Sequence, residues 1–118
     1  MLILPPPDKN FSILTKLNGA YLFWQVSFLQ MSRLHRYSLG IKIDNLFTET
    51  LKLILAAKYS HRDQKLEFIN QAIIELDTLK FFLQISWQNK SLDDKKYLQL
   101  SASLAEVGKI IGGWKKLF

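Results

Sequence analysis

The C-terminal stretch, residues 91–118, constrains the fold more than any other part of this chain. Apolar residues recur there at Tyr97, Leu100, Leu104, Val107, Ile111, Trp114 and Phe118, three or four positions apart, and that spacing draws one line down a helix. Such a line needs partner helices to cover it. Beside it, Ala105, Gly108 and Gly112 form a column of small residues. Glycine inside a helix costs about 1 kcal/mol against alanine, so the column predicts a neighbouring backbone that approaches closely. No catalytic side chain lies on the line.

Three more helices are expected upstream. Pro5-Pro-Pro7 with Asp8-Lys9-Asn10 marks residues 1–10 as an extended arm, because proline fixes its own φ and disfavours helix in the residue before it. A first helix is predicted over residues 11–32. Its middle, Tyr21-Leu-Phe-Trp-Gln-Val-Ser-Phe-Leu29, is apolar on nearly every face; a helix of that kind must be covered on more than one side, by its own bundle or by another subunit. Ser38 is the expected N-cap of a second helix over residues 39–58, Ser60 and Asp63 form a capping-box-like pair before a third over 63–88, and Ser91 with Asp93 and Asp94 opens the fourth. The third helix offers two apolar faces: one from Leu66, Ile69, Ile73, Leu76, Leu83 and Trp87, another from Phe68, Ala72, Leu79, Phe82 and Ile85. Helices of this length joined by short connections predict an all-α domain over residues 11–118, an antiparallel up-down-up-down four-helix bundle.

With 118 residues, 48% of them hydrophobic, the chain is long enough for one domain with one core. Cysteine is absent, which removes disulfides, thiolate metal sites and cysteine nucleophiles together. The longest charge-free stretch, residues 17–32, is shorter than the roughly 20 apolar residues of a membrane span and contains Asn18, Gln25, Gln30 and Ser32. No basic-then-apolar leader precedes it, so the expected location is the cytoplasm, with no membrane partner.

The formal charge of +6 is unevenly spread. Residues 9–43 hold Lys9, Lys16, Arg33, Arg36 and Lys42 and no acid; residues 107–118 hold Lys109, Lys115 and Lys116 and again no acid; the middle is nearly balanced, with eight bases and nine acids. Segregated positive charge attracts polyanions through counterion release. In a lone subunit the plainer reading, that the same side chains merely solvate helix ends, is slightly favoured, but repetition around a symmetry axis would repeat each cluster and favour nucleic-acid binding. His35 and His61 sit in predicted turns beside Arg36 and Arg62 with no carboxylate at helical spacing, a pattern of exposed turn histidines and not of a metal site. Asp93 and Asp94 read as helix-start acids. No nucleophile elbow, P-loop or dinucleotide fingerprint is present, so neither an enzyme nor a cofactor is expected. Trp24, Trp87 and Trp114 stand at helical spacing and read first as core, with base stacking the minor alternative.

Leu104-Ala-Glu-Val-Gly-Lys-Ile-Ile-Gly-Gly-Trp-Lys115, together with Arg36-Tyr-Ser-Leu-Gly-Ile-Lys-Ile43 and Asn70-Gln-Ala-Ile-Ile-Glu-Leu-Asp-Thr-Leu79, resembles the bacterial four-helix-bundle family that contains the accessory variability determinant (Avd) proteins of diversity-generating retroelements. The rRNA intervening-sequence proteins belong to the same broad group. The resemblance spans residues 21–114. It implies a barrel-shaped homopentamer with a basic surface that associates with the element's reverse transcriptase and binds RNA or DNA during mutagenic copying. By position, the matching basic residues are Arg33, Arg36, Lys109, Lys115 and Lys116, expected at helix ends and exposed flanks. The sequence departs from the family pattern in two places: no proline stands in Met31-Ser-Arg-Leu-His-Arg36, and Leu83-Gln-Ile-Ser-Trp87 replaces an arginine-containing segment. The alternative reading is a stand-alone intervening-sequence-type bundle with a structural or interaction role.

Overall fold

A computed structural model describes residues 12–118; the proline arm and Phe11 lie outside the described residues. Every regular element among them is helical: α1 (Ser12–Gln30), a single turn α2 (Arg33–His35) continuing through a π turn (Arg36–Gly40) into α3 (Ile41–Tyr59), then α4 (Arg62–Gln88) and α5 (Asp94–Lys115). The four long helices make a helical bundle. α1 packs on α3 and α5, and α4 packs on α3 and α5, so α1 and α4 stand across from one another.

The core is drawn by lines of residues at helical spacing. Ile13, Leu17, Ala20 and Trp24 come from α1; Ile43, Phe47, Ile54 and Ala57 from α3; Leu100, Leu104, Val107 and Ile111 from α5, all buried. Burial on α5 follows the line read from the sequence, with Tyr97 and Trp114 half-buried at its margins. On α4 the buried line runs Ile69, Ala72, Leu76, Leu79, Leu83 and Ser86. It therefore passes between the two faces expected there and borrows from both. Trp24 is the largest buried side chain; it stacks on Phe47 at 6.1 Å between ring centres, and its indole N–H donates to Asp44 at 3.3 Å. Burial, and after it the same Asp44 carboxylate, pushes the Tyr21 hydroxyl above its usual pKa.

The helix starts correct the sequence reading. Ser38 caps nothing: it lies inside the π turn, and its hydroxyl donates to the Leu34 carbonyl at 2.9 Å. The cap lies upstream of the π turn, where Ser32 accepts from the His35 N–H. Ser60 likewise donates to the Ala57 carbonyl, and α4 starts from His61 without a side-chain cap. Ser91 donates to the Ser86 carbonyl, leaving Asp93 to cap α5 by accepting from Lys96 N–H at 2.8 Å. That backbone donor is the main reason the Asp93 carboxyl sits below its ordinary pKa.

Two backbone positions are sterically demanding. Ile41 N–H donates to the Arg36 carbonyl five residues back, which defines the π turn. A Cβ on Gly40 at the end of that turn would come within 2.8 and 2.9 Å of the Phe28 ring and 3.3 Å of the His35 carbonyl. The segment Arg36-Tyr-Ser-Leu-Gly40, singled out in the sequence, is therefore the π turn itself, and its glycine is the seat for Phe28. After α4, Lys90 adopts φ 65°, with its N–H bonded to the Trp87 carbonyl at 3.1 Å. That is the left-handed position past a helix end which glycine fills without a side-chain clash. Lys90→Gly is expected to raise the stability to urea by up to about 1 kcal/mol, the relieved strain exceeding the extra entropy of the unfolded chain; a lower midpoint would show that the lysine side chain has a compensating role.

Candidate functional site

The five basic residues marked by the sequence divide between the two ends of the bundle. Lys16 near the start of α1 bonds Glu106 in the second half of α5 at 2.9 Å, and a cleft beside Ile13 is closed by Ile110, Gly113, Trp114 and Leu117. The end of α5 therefore lies with the start of α1. It also lies with the turn between α3 and α4, since the Arg62 guanidinium stands 5.0 Å over the Phe118 ring and donates to the Leu117 carbonyl. Lys109, Lys115 and Lys116, all exposed, belong to this end. Arg33 and Arg36 follow the far end of α1, at the opposite end of the molecule. Within one subunit they form no common surface with the C-terminal lysines.

The two arginines also differ from each other. Arg33 is exposed and lies 5.9 Å over the Tyr37 ring. Arg36 is half-buried: it donates to the Met31 carbonyl at 3.2 Å, and its Nε is enclosed without a partner. It ties the end of α1 to the π turn and is a packing residue, contrary to the exposed flank expected for it.

The structure brings to the C-terminal end three bases that a count of charge by segments leaves in the balanced middle. Lys58 and Lys65 rim the cleft, of about 540 Å³, whose apolar lining is Ile13, Ile110, Trp114 and Leu117. Arg62 is held against Phe118. Lys65 spends its ammonium on the Ala57 and Lys58 carbonyls at 2.7 and 2.8 Å, closing the end of α3. The result is a basic end built from Lys58, Arg62, Lys65, Lys115 and Lys116. The signal that could have found it is the alternation of the expected up-down-up-down bundle: its second connection, Lys58-Tyr-Ser-His-Arg62, falls at the same end as the first and last residues of the domain. Lys16 adds less, because its ammonium is bonded to Glu106 and holds that exposed carboxyl below the usual range.

The tryptophans are accounted for mostly within the fold. Trp24 is core, and Trp87 stacks on Tyr97 at 5.0 Å while donating to Asp94 at 2.7 Å. Trp114 is half-buried in the cleft. The small column differs from expectation: a Cβ on Gly112 would meet nothing within 4 Å, and one on Gly108 would meet only the Lys80 ammonium at 3.2 Å and a Leu76 methyl at 3.8 Å. No backbone of a neighbouring helix in this subunit comes close there. Among the described residues no group of three His, Asp or Glu is placed to hold a metal, and no helix is long and apolar enough to cross a membrane.

A family profile described as bAvd-like matches residues 20–118. The chain belongs to the bAvd-like family. No curated protein and no solved structure matches it. The matched span takes in α3, α4, α5, the π turn with Gly40, and the second half of α1.

Proposed function

We propose that this bAvd-like chain is a non-enzymatic accessory protein of a diversity-generating retroelement. In this reading it is an antiparallel bundle that assembles as a homo-oligomer, a pentamer by resemblance, in the cytoplasm. Its basic surface holds RNA or DNA beside the element's reverse transcriptase during mutagenic copying. The observation that carries the reading is the family match across residues 20–118. Its support in this chain's own chemistry is the gathering of Lys58, Arg62, Lys115 and Lys116 at one end of the bundle, where repetition around a symmetry axis would make a continuous positive ring.

The expected role is electrostatic and indifferent to base sequence. Gel-shift titrations with two unrelated RNAs and two unrelated DNA duplexes should give comparable affinities that fall steeply with salt, each neutralised phosphate adding about −0.9 to the log–log slope on duplex DNA. Co-purification with the reverse transcriptase encoded beside a template and variable repeat pair tests the partner. A protein that binds none of these at low salt, and retains no polymerase, overturns the proposal.

A further inference from the structure

The run Gly112-Gly113-Trp114 lies just past Ile111, the last buried residue of α5. Gly113 and Trp114 line the open cleft at the basic end, together with Ile13, Ile110 and Leu117. A Cβ on Gly113 would meet nothing within 4 Å, so no element of the subunit comes close to that glycine. What the missing side chain does is leave space beside the indole. The cleft, of about 540 Å³, falls in the usual range for small-ligand sites, about 300–1,000 Å³. Its lining is apolar and aromatic while its surroundings are positive: Lys58 and Lys65 stand at the rim, Lys115 follows Trp114 in the chain, and Phe118 carries the Arg62 guanidinium over its ring.

We propose that this cleft receives a base of an unpaired strand, RNA or single-stranded DNA, laid against the Trp114 indole, while the cations around it hold the phosphates on either side. This rests on the nucleic-acid binding proposed above and names the class of strand that gains most from it. An aromatic side chain set in a positive surface is the general chemistry of single-strand binding: the phosphates supply attraction, and stacking adds to it without regard to sequence, because every base has a flat face. A duplex keeps those faces inside its helix. It meets the positive rim alone, so the electrostatic binding common to all nucleic acids remains and only the unpaired strand adds the base contact. The nearest acids do not oppose this, since Glu106 is bonded to Lys16 and Asp63 lies in a separate hollow beside Arg62. An apolar protein segment would fill the lining equally well but would draw nothing from the cations around it.

Two strands of equal length and charge test the proposal: oligothymidine, and the same backbone with every base removed. At equal salt the native protein should bind the thymidine strand at least about fivefold more tightly, the increment of one stacked base. Gly113→Leu fills the cleft from a position with open space around it; its melting temperature and its affinity for the abasic strand should stay native while the preference for thymidine disappears. Trp114→Ala should lose the preference too, and Trp114→Phe should keep most of it. The comparison of strands needs no variant, so it stands if either substitution fails to fold. Equal affinity of the native protein for the two strands overturns base capture and leaves the electrostatic reading in place. So does a folded Gly113→Leu or Trp114→Ala protein that keeps the full preference, or one that loses both strands alike, since the cleft would then carry charge contacts and no base. A native protein that binds neither strand at low salt overturns the nucleic-acid reading itself.

Discussion

Trp24→Ala should cost about 3–5 kcal/mol, the range for removing a fully buried large aromatic side chain. The indole is wholly enclosed between α1 and α3, stacked on Phe47, 6.0 Å from Phe28 by ring centres, and bonded to Asp44. Alanine would leave a cavity that the surrounding rings are too rigid to fill, and Asp44 would lose its donor. Since domains of this size are stable by only about 5–15 kcal/mol in all, the melting temperature at fixed protein concentration should fall by on the order of 10–20 °C, and the variant should be largely degraded in cells. Trp24→Phe separates the two contributions, because it keeps most of the packing and removes only the N–H. It should lose less than half as much. A Trp24→Ala melt within a few degrees of native would mean that the α1–α3 packing is not where the bundle's stability resides.

The helices are legible in the sequence because their apolar spacing is a property of the chain alone; the α5 line from Leu100 to Ile111 is buried as read. α1 and α4 are harder for a physical reason. Each has apolar residues on two sides, and periodicity does not say which side faces inward. On α1 one side is core and the other leaves Leu22, Val26 and Leu29 exposed; on α4 the buried line splits the two candidate faces. Helix starts depart from the sequence reading in one consistent way. Ser38, Ser60 and Ser91 all stand where a cap would accept a hydrogen bond, and all three instead donate to a carbonyl three to five residues behind. A serine near a helix boundary can do either, and its sequence position does not decide between them. The glycines mislead in the same way: the close approach is at Gly40 beneath Phe28, not along the Gly108 column. Charge taken segment by segment merges Arg33 with the C-terminal lysines and hides Lys58 and Arg62, because which turn lies at which end of the bundle is a fact of topology.

That division of charge decides how binding should respond to mutation. Reversing Lys115 and Lys116 to glutamate, with Arg62→Glu, removes three positive charges from one end of each subunit and adds three negative ones, beside Lys58 and Lys65 that remain. Affinity for RNA and duplex DNA at low salt should fall by at least about a hundredfold, and the log–log salt slope should flatten by about 0.9 for each phosphate no longer neutralised. The fold should hold, since Lys115, Lys116 and Arg62 are exposed and the Arg62 guanidinium meets the chain terminus at Phe118 and Leu117. Arg33→Glu at the opposite end should weaken binding less if the basic end is the binding surface, and equally if polyanion wraps both ends of the assembly. Lys109→Glu, on the exposed flank of α5, should fall between them. Arg36 is unsuitable for this comparison, because a carboxylate there would face the Met31 carbonyl and unfold the α1–α3 joint; Lys65 is unsuitable because it closes the end of α3. Lys52, exposed on the outer side of α3, is the control, and Lys52→Glu should change affinity by less than about threefold, the small effect of a single charge away from the bound phosphates. Equal losses from Lys52 and from the C-terminal trio would show that only net charge matters, and the basic end would no longer be a site.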